Sequence, residues 1–223
     1  MTPALLALTF LVAILDWSAV YKKWQRLEYF CKPATLALLF TWLVVRSGLN
    51  GNLLWFGLGL LFSLAGDVFL MFSERWFIAG LLAFLLAHLA YIIGFNIPLP
   101  EVSFFWGLAV AVVLSISAAR LLRRILAGLA AKGLQKLRLP VQVYGTLITL
   151  MLLSAILTLF RPEWGLTPAA LVSLGALSFY FSDVILAWNR FVNPIRQGRL
   201  LNMVAYHLGQ IALIAGAAMH FTH

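Results

Sequence analysis

Charge is scarce in this 223-residue chain, and acid is scarcest: charged residues make up 10% of it and only 7 are Asp or Glu. A chain so poor in charge and 63% apolar is neither disordered nor an ordinary soluble domain, whose charged share is about 25%. Cysteine is nearly absent. Cys31 stands alone, so no intramolecular disulfide and no zinc-type Cys pair can form. The sequence has no His-Glu-x-x-His and no dense histidine cluster, and it lacks the Gly-x-Ser-x-Gly turn of a serine hydrolase. Its apolar runs do not alternate with period two, which argues against barrel strands and leaves helices.

What is present is eight apolar stretches near the length of about 20 residues that spans a bilayer. They cover roughly residues 3–20, 33–48, 52–72, 76–97, 102–122, 140–161, 167–189 and 199–220. Pro33, Pro140 and Pro168 fall at span starts, where a missing N–H costs little, although the second span is short and has room to extend inward past Pro33. The joining segments are short apart from 123–139, so residues 1–223 read as one all-α integral membrane domain. No Lys or Arg precedes the first span, whereas Lys22, Lys23 and Arg26 follow it. That pattern predicts an uncleaved first helix rather than a signal peptide.

Lys and Arg number 16, for a net charge of +9. Threaded through eight spans, 14 of them fall on one side; only Arg46 and Arg161 fall on the other. The positive-inside rule assigns the rich side to the cytoplasm and puts both termini outside. The expected setting is a bacterial inner (plasma) membrane. The basic excess then reflects topology and anionic lipid, and it calls for no nucleic acid.

The two halves echo one another. Gly66-Asp67-Val68-Phe69-Leu70 in span three matches Ser182-Asp183-Val184-Ile185-Leu186 in span seven. The next span carries His88 in one half and His207 in the other. Two parallel four-helix repeats would explain this, and so would apolar composition alone.

Glu28, Glu74, Glu101 and Glu163 are expected in loops, and Asp16, Asp67 and Asp183 in spans. An ionisable group in a span costs about 2.5–3.5 kcal/mol on insertion scales and is a functional candidate by default. Each Asp falls about five residues, or roughly 8 Å, from the cytoplasmic end of its helix. Around that depth the spacing gathers Lys32 at the start of helix two and Tyr144 in helix six. Ser182 and Asn189 flank Asp183, and Asn202, Tyr206, His207 and Gln210 lie on helix eight. His88 and Tyr91 share a face of helix four, somewhat deeper. The pattern describes a polar chamber in the cytoplasmic half of the bundle.

Plainer readings exist. Asp16 can pair with Lys32, Lys32 can snorkel to the interface, and His88 can satisfy a helix–helix hydrogen bond. Tyr144 and Tyr206 can belong to interfacial belts. Asp67 and Asp183 are the hardest to dismiss, because neither has a base within one turn on its own helix. Two carboxylates in a poorly hydrated site can divide the roles of general acid and general base. That suits hydrolysis through an oxocarbenium-like state without a metal or other cofactor.

These pieces resemble the YhhN family, which contains the lysoplasmalogenases. The likeness rests on Lys32-Pro33, Gly66-Asp67, His88 with Tyr91, Pro140 with Tyr144, Ser182-Asp183-Val184-Ile185-Leu186-Ala187, and Tyr206 with Gln210. It covers nearly the whole chain. The resemblance implies a multi-pass membrane hydrolase acting on lysoplasmalogen, a lysophospholipid whose remaining chain is a vinyl ether. The products would be a fatty aldehyde and a glycerophospho-base, and Asp67 and Asp183 would be the catalytic pair. Asp16, Lys32, His88, Tyr91, Tyr144, Ser182, Asn189, Tyr206, His207 and Gln210 are the expected substrate-binding set. Two other classes fit the intramembrane acids: a proton-coupled lipid or small-molecule transporter, and a metal-dependent lipid amidase or esterase using the two histidines.

Overall fold

The computed structural model describes residues 2–72, 74–99 and 103–222. Among the described residues there is no strand, and all eight expected spans are helices. They are α1 (Thr2–Lys22), α2 (Gln25–Ser47), α3 (Leu53–Met71), α4 (Phe77–Asn96), α5 (Phe104–Ala131), α6 (Arg138–Leu157), α7 (Leu166–Ala187) and α8 (Gly198–Phe221). Each is long and apolar enough to cross a membrane, and the chain is an integral membrane protein.

Two boundaries differ from expectation, and both differences are at the basic end. Helix α2 begins at Gln25, so Pro33 lies inside it and Lys32 does not open it. Glu28, expected in a loop, is therefore helical and 3% exposed. A proline inside a spanning helix is tolerated where the bundle encloses the backbone. The residues before it, Glu28, Cys31 and Lys32, are all buried. Helix α5 runs on to Ala131, so the expected long loop is mostly helix. Ile125 and Leu129, four apart, bury one face of this extension against Phe77, Val141 and Phe191. Arg123 and Arg124 remain exposed on the other side. Of the remaining loop acids, Glu74 and Glu163 lie in short 3₁₀ turns. Glu101, with the expected start of span five at Val102, lies outside the described residues.

Helices pair in chain order. The most extensive contacts join α7 with α8, α3 with α4, and α1 with α2. Lipid chains are as apolar as leucine, so such helices associate through close packing, which small residues permit. A Cβ added at Gly175 would lie 2.4 Å from the Leu213 backbone nitrogen, and one at Gly209 would lie 2.7 Å from that of Phe179. α7 and α8 thus touch backbone to backbone. The apolar core, including Leu36, Phe56, Tyr91, Met151, Phe179 and Leu213, reaches the site through Phe179, which packs on His88 and Tyr206. Arg161 closes the end remote from the basic one by donating to the Phe95 carbonyl at 2.7 Å and to Glu163 at 2.8 Å. Partial burial acts to raise the Glu163 pKa, but the Arg161 hydrogen bond, a backbone hydrogen bond and the nearby Arg161 and His220 charges together hold the carboxyl below its ordinary value.

Gly175→Ala forces α7 from α8 because its nearest neighbours are backbone atoms, whereas the one close contact of Gly57→Ala is the flexible end of Leu49, with the Phe40 ring at an ordinary 3.5 Å. Overpacking of this kind costs about 1–3 kcal/mol. Thermal unfolding in detergent should show a clearly lower Tm for Gly175→Ala and a smaller change for Gly57→Ala. Equal changes would contradict the backbone contact.

Candidate active site

Three helices meet at Asp67. The carboxylate projects from the last turn of α3 and is 1% exposed. Lys32 of α2 places its Nζ 3.0 Å from Oδ1, and the Tyr206 hydroxyl of α8 donates to Oδ2 at 2.8 Å. The same logic recurs at Asp183 on α7. There the Tyr144 hydroxyl of α6 donates to Oδ2, and His88 Nε2 of α4 lies 3.5 Å from that oxygen. His88 Nε2 is also 3.0 Å from the Tyr144 oxygen. The single phenolic proton goes to Asp183, so Nε2 is the donor to Tyr144. His88, Tyr144 and Asp183 form one directed chain.

Each aspartate is therefore held by the preceding helix and by the last helix of the other half. Lys32 (α2) and Tyr206 (α8) hold Asp67; Tyr144 (α6) and His88 (α4) hold Asp183. This exchange between halves extends the echo seen in the sequence.

Two cavities adjoin the pair. One, of about 310 Å³, is polar and opens at the basic end. It is lined by Glu28, Lys32, Asp67, Ser182, Asp183, Arg199, Asn202 and Tyr206 among others. Both candidate carboxylates thus face one space. The other, of about 330 Å³, is walled mainly by apolar residues of α3 to α7, including Phe77, Leu81, Ala118, Leu122 and Ile148. It also reaches Tyr144 and Asp183. Leu70, Phe84, Asp183 and Leu186 line both cavities, so Asp183 stands where the polar and apolar spaces adjoin.

The other expected residues divide. Ser182 lines the polar cavity, with its hydroxyl 3.5 Å from Asp183 Oδ1, and its carbonyl accepts from Asn202 at 2.7 Å. Tyr91 and Gln210 are fully buried and line neither cavity. Tyr91 donates to Gln210 at 2.7 Å, and Gln210 donates to Ser63 at 3.0 Å, tying α4, α8 and α3 together. Asn189 turns its carboxamide oxygen to the Ile195 backbone N–H at 2.7 Å and secures the turn before α8. Asp16 is fully buried behind the pair, and neither of its oxygens has a hydrogen-bond partner among the described residues. His207 Nδ1 lies 3.9 Å from Asp16 and accepts from the Trp17 indole at 3.1 Å.

Sequence reasoning missed Glu28 and Trp17. Glu28 is four residues before Lys32, a helical spacing visible only once α2 is carried back past Pro33. Nothing in the sequence marks Trp17 among the 8 tryptophans.

The sequence profile of the YhhN family matches residues 27–217. The chain is 32% identical over 190 residues to lysoplasmalogenase TMEM86B of Mus musculus, an overlap covering 84% of this chain and 73% of that protein. It is 29% identical over 205 residues to TMEM86B of Homo sapiens, covering 91% and 76%. With lysoplasmalogenase TMEM86A of Homo sapiens it shares 33% identity over 162 residues, covering 71% and 63%. No solved structure matches the chain.

The Lys32–Asp67 pair gives a direct test. Removing one member of a buried ion pair costs about 3–5 kcal/mol, because the other charge is stranded. Lys32→Met should therefore unfold in detergent at a markedly lower temperature, and Lys32→Met with Asp67→Asn should recover much of the loss. A double variant no more stable than the single one would show that the pair is not coupled.

Proposed function

The chain belongs to the YhhN family, and from that premise we propose that it hydrolyses the vinyl ether bond of lysoplasmalogen at the junction of the two cavities. The products are a fatty aldehyde and a glycerophospho-base, glycerophosphoethanolamine or glycerophosphocholine. The observation that carries the reading is the position of Asp183. The substrate is apolar on one side of its reacting bond and zwitterionic on the other, and Asp183 lines both an apolar and a polar space. The alkenyl chain occupies the cavity among α3 to α7, and the glycerophosphate occupies the polar one.

The chemistry begins at carbon. Asp183 delivers a proton to the β-carbon of the vinyl ether, and the positive charge that develops is shared between the α-carbon and the ether oxygen. Asp67, with the Lys32 Nζ 3.0 Å away, acts as the carboxylate that stabilises that charge. It then takes a proton from the water that adds to the α-carbon. The hemiacetal collapses to aldehyde and alcohol, with the hydroxyl proton lost as the glycerol oxygen gains one. Passage of a proton from Asp67 back to Asp183 resets the pair. Tyr144 and His88 orient Asp183 so that its second oxygen faces the substrate. Arg199 and Lys32 supply positive charge for the phosphate.

The charge asymmetry supports a bacterial inner-membrane setting with the basic end in the cytoplasm and both termini outside. The polar cavity then opens to the side where the headgroup of an inner-leaflet lysolipid lies.

Asp183→Asn keeps the shape of the side chain and removes the acid. Its kcat for aldehyde release should fall at least about a hundredfold, the usual scale of general acid–base catalysis. Near-normal turnover would remove Asp183 from the mechanism. Vesicles that accumulate the lipid without releasing aldehyde would indicate transport instead. Ala118→Phe fills the apolar cavity from α5. It should depress kcat/KM for long alkenyl chains more than for short ones, and equal effects would place the chain elsewhere.

A further inference from the structure

The polar cavity holds a charged pair, Glu28 with Arg199, of which the proposed chemistry uses only the cation. Glu28 and Arg199 both line the cavity; the Glu28 side chain is only 4% exposed, and Arg199, reaching it from α8, is 62% exposed. The guanidinium touches Glu28 Oε1 at 2.5 Å. Glu28 Oε2 has no hydrogen-bond partner among the described residues, although Glu28 lines the cavity. Arg199 spends one edge on Glu28, and a guanidinium carries five N–H donors in a fork suited to phosphate. One cavity wall thus presents an enclosed acceptor beside a more exposed cation.

The charges lining the space are already nearly balanced. Lys32 and Arg199 face Glu28, Asp67 and Asp183. An anionic headgroup would bring uncompensated negative charge against enclosed carboxylates. A zwitterionic one adds no net charge, and its two poles match the two groups. We propose that Glu28 and Arg199 read the phosphoethanolamine headgroup of the lysolipid, Arg199 taking the phosphate and Glu28 accepting N–H bonds from the primary ammonium. This rests on the lysoplasmalogen reading and extends it to the choice of headgroup. A trimethylammonium group has no N–H to give, and a largely buried carboxylate oxygen is a narrow target for so bulky a cation. Charge-assisted hydrogen bonds, not charge alone, set the preference.

The test uses the purified full-length protein and lysoplasmalogens that differ only at nitrogen: ethanolamine, N-methyl, N,N-dimethyl and choline, with a glycerol headgroup as the anionic member. The wild-type kcat/KM should fall stepwise with methylation, by about tenfold or more from ethanolamine to choline, the loss of one charge-assisted hydrogen bond. It should be lowest for glycerol. Glu28→Gln should flatten the series, and Arg199→Lys should lower all members together. A flat wild-type series, or Glu28→Gln with the wild-type ratios, overturns the assignment.

Binding of non-hydrolysable alkyl-ether analogues, read as a rise in Tm, gives the same ranking without catalysis. If no headgroup releases aldehyde, the hydrolase reading fails while this binding series still decides the headgroup. Chainless glycerophosphoethanolamine is the remaining arm. It should stabilise the protein less than the lipid does, and equal stabilisation would mean that the site serves a soluble phosphoethanolamine rather than a membrane lipid.

Discussion

The buried contact between Lys32 and Asp67 constrains much of the basic half of this molecule. Burying charge is expensive, and two charges stay in a low-dielectric interior only when each satisfies the other at short range. At 3.0 Å, and with Tyr206 closing the second carboxylate oxygen, that condition is met by residues from three helices. The pair therefore fixes the mutual positions of α2, α3 and α8. It also explains why α2 must run back past Pro33: a helix beginning at the proline would leave Lys32 on a free end, with no rigid element to hold it at Asp67. The same extension brings Glu28 into the cavity wall.

The second aspartate is held by softer partners. Asp183 meets a phenol and an imidazole rather than an ammonium, and its side chain is 12% exposed where that of Asp67 is 1%. Equivalent elements of the two halves support two carboxylates in unlike company. One lies against a lysine Nζ; the other stands at the junction of two cavities with a hydrogen-bonded relay behind it. An echo in sequence has thus become a division of labour in space, with each half contributing to the other's aspartate. In the proposed reaction this unlikeness is what lets one carboxyl act as acid while the other acts as base.

Much of this was legible before any coordinates. Continuous apolar runs gave eight helices because a bilayer demands about 20 such residues per crossing, and few other patterns meet that demand. Scarce acids within those runs pointed to Asp67 and Asp183, which share one cavity. The failures share a cause. Local signals favour Pro33 as a helix start, with the short span free to extend inward past it, and 123–139 as a loop. Tertiary burial of Glu28 and Lys32 in one case, and of Ile125 and Leu129 in the other, overrode them. Depth was readable from position along a span, but direction around the helix was not. That is why Tyr91, Gln210 and Asn189, all expected at the chamber, prove to be engaged in ties between elements.

The account stands or falls on where the proton goes. Hydrolysis by the purified protein in heavy water, with the aldehyde trapped as it forms and examined by mass spectrometry and proton NMR, tests that step. Proton delivery to the β-carbon predicts a single deuterium on the carbon next to the aldehyde. Aldehyde without deuterium at that carbon, or no aldehyde from any lysoplasmalogen, would contradict it.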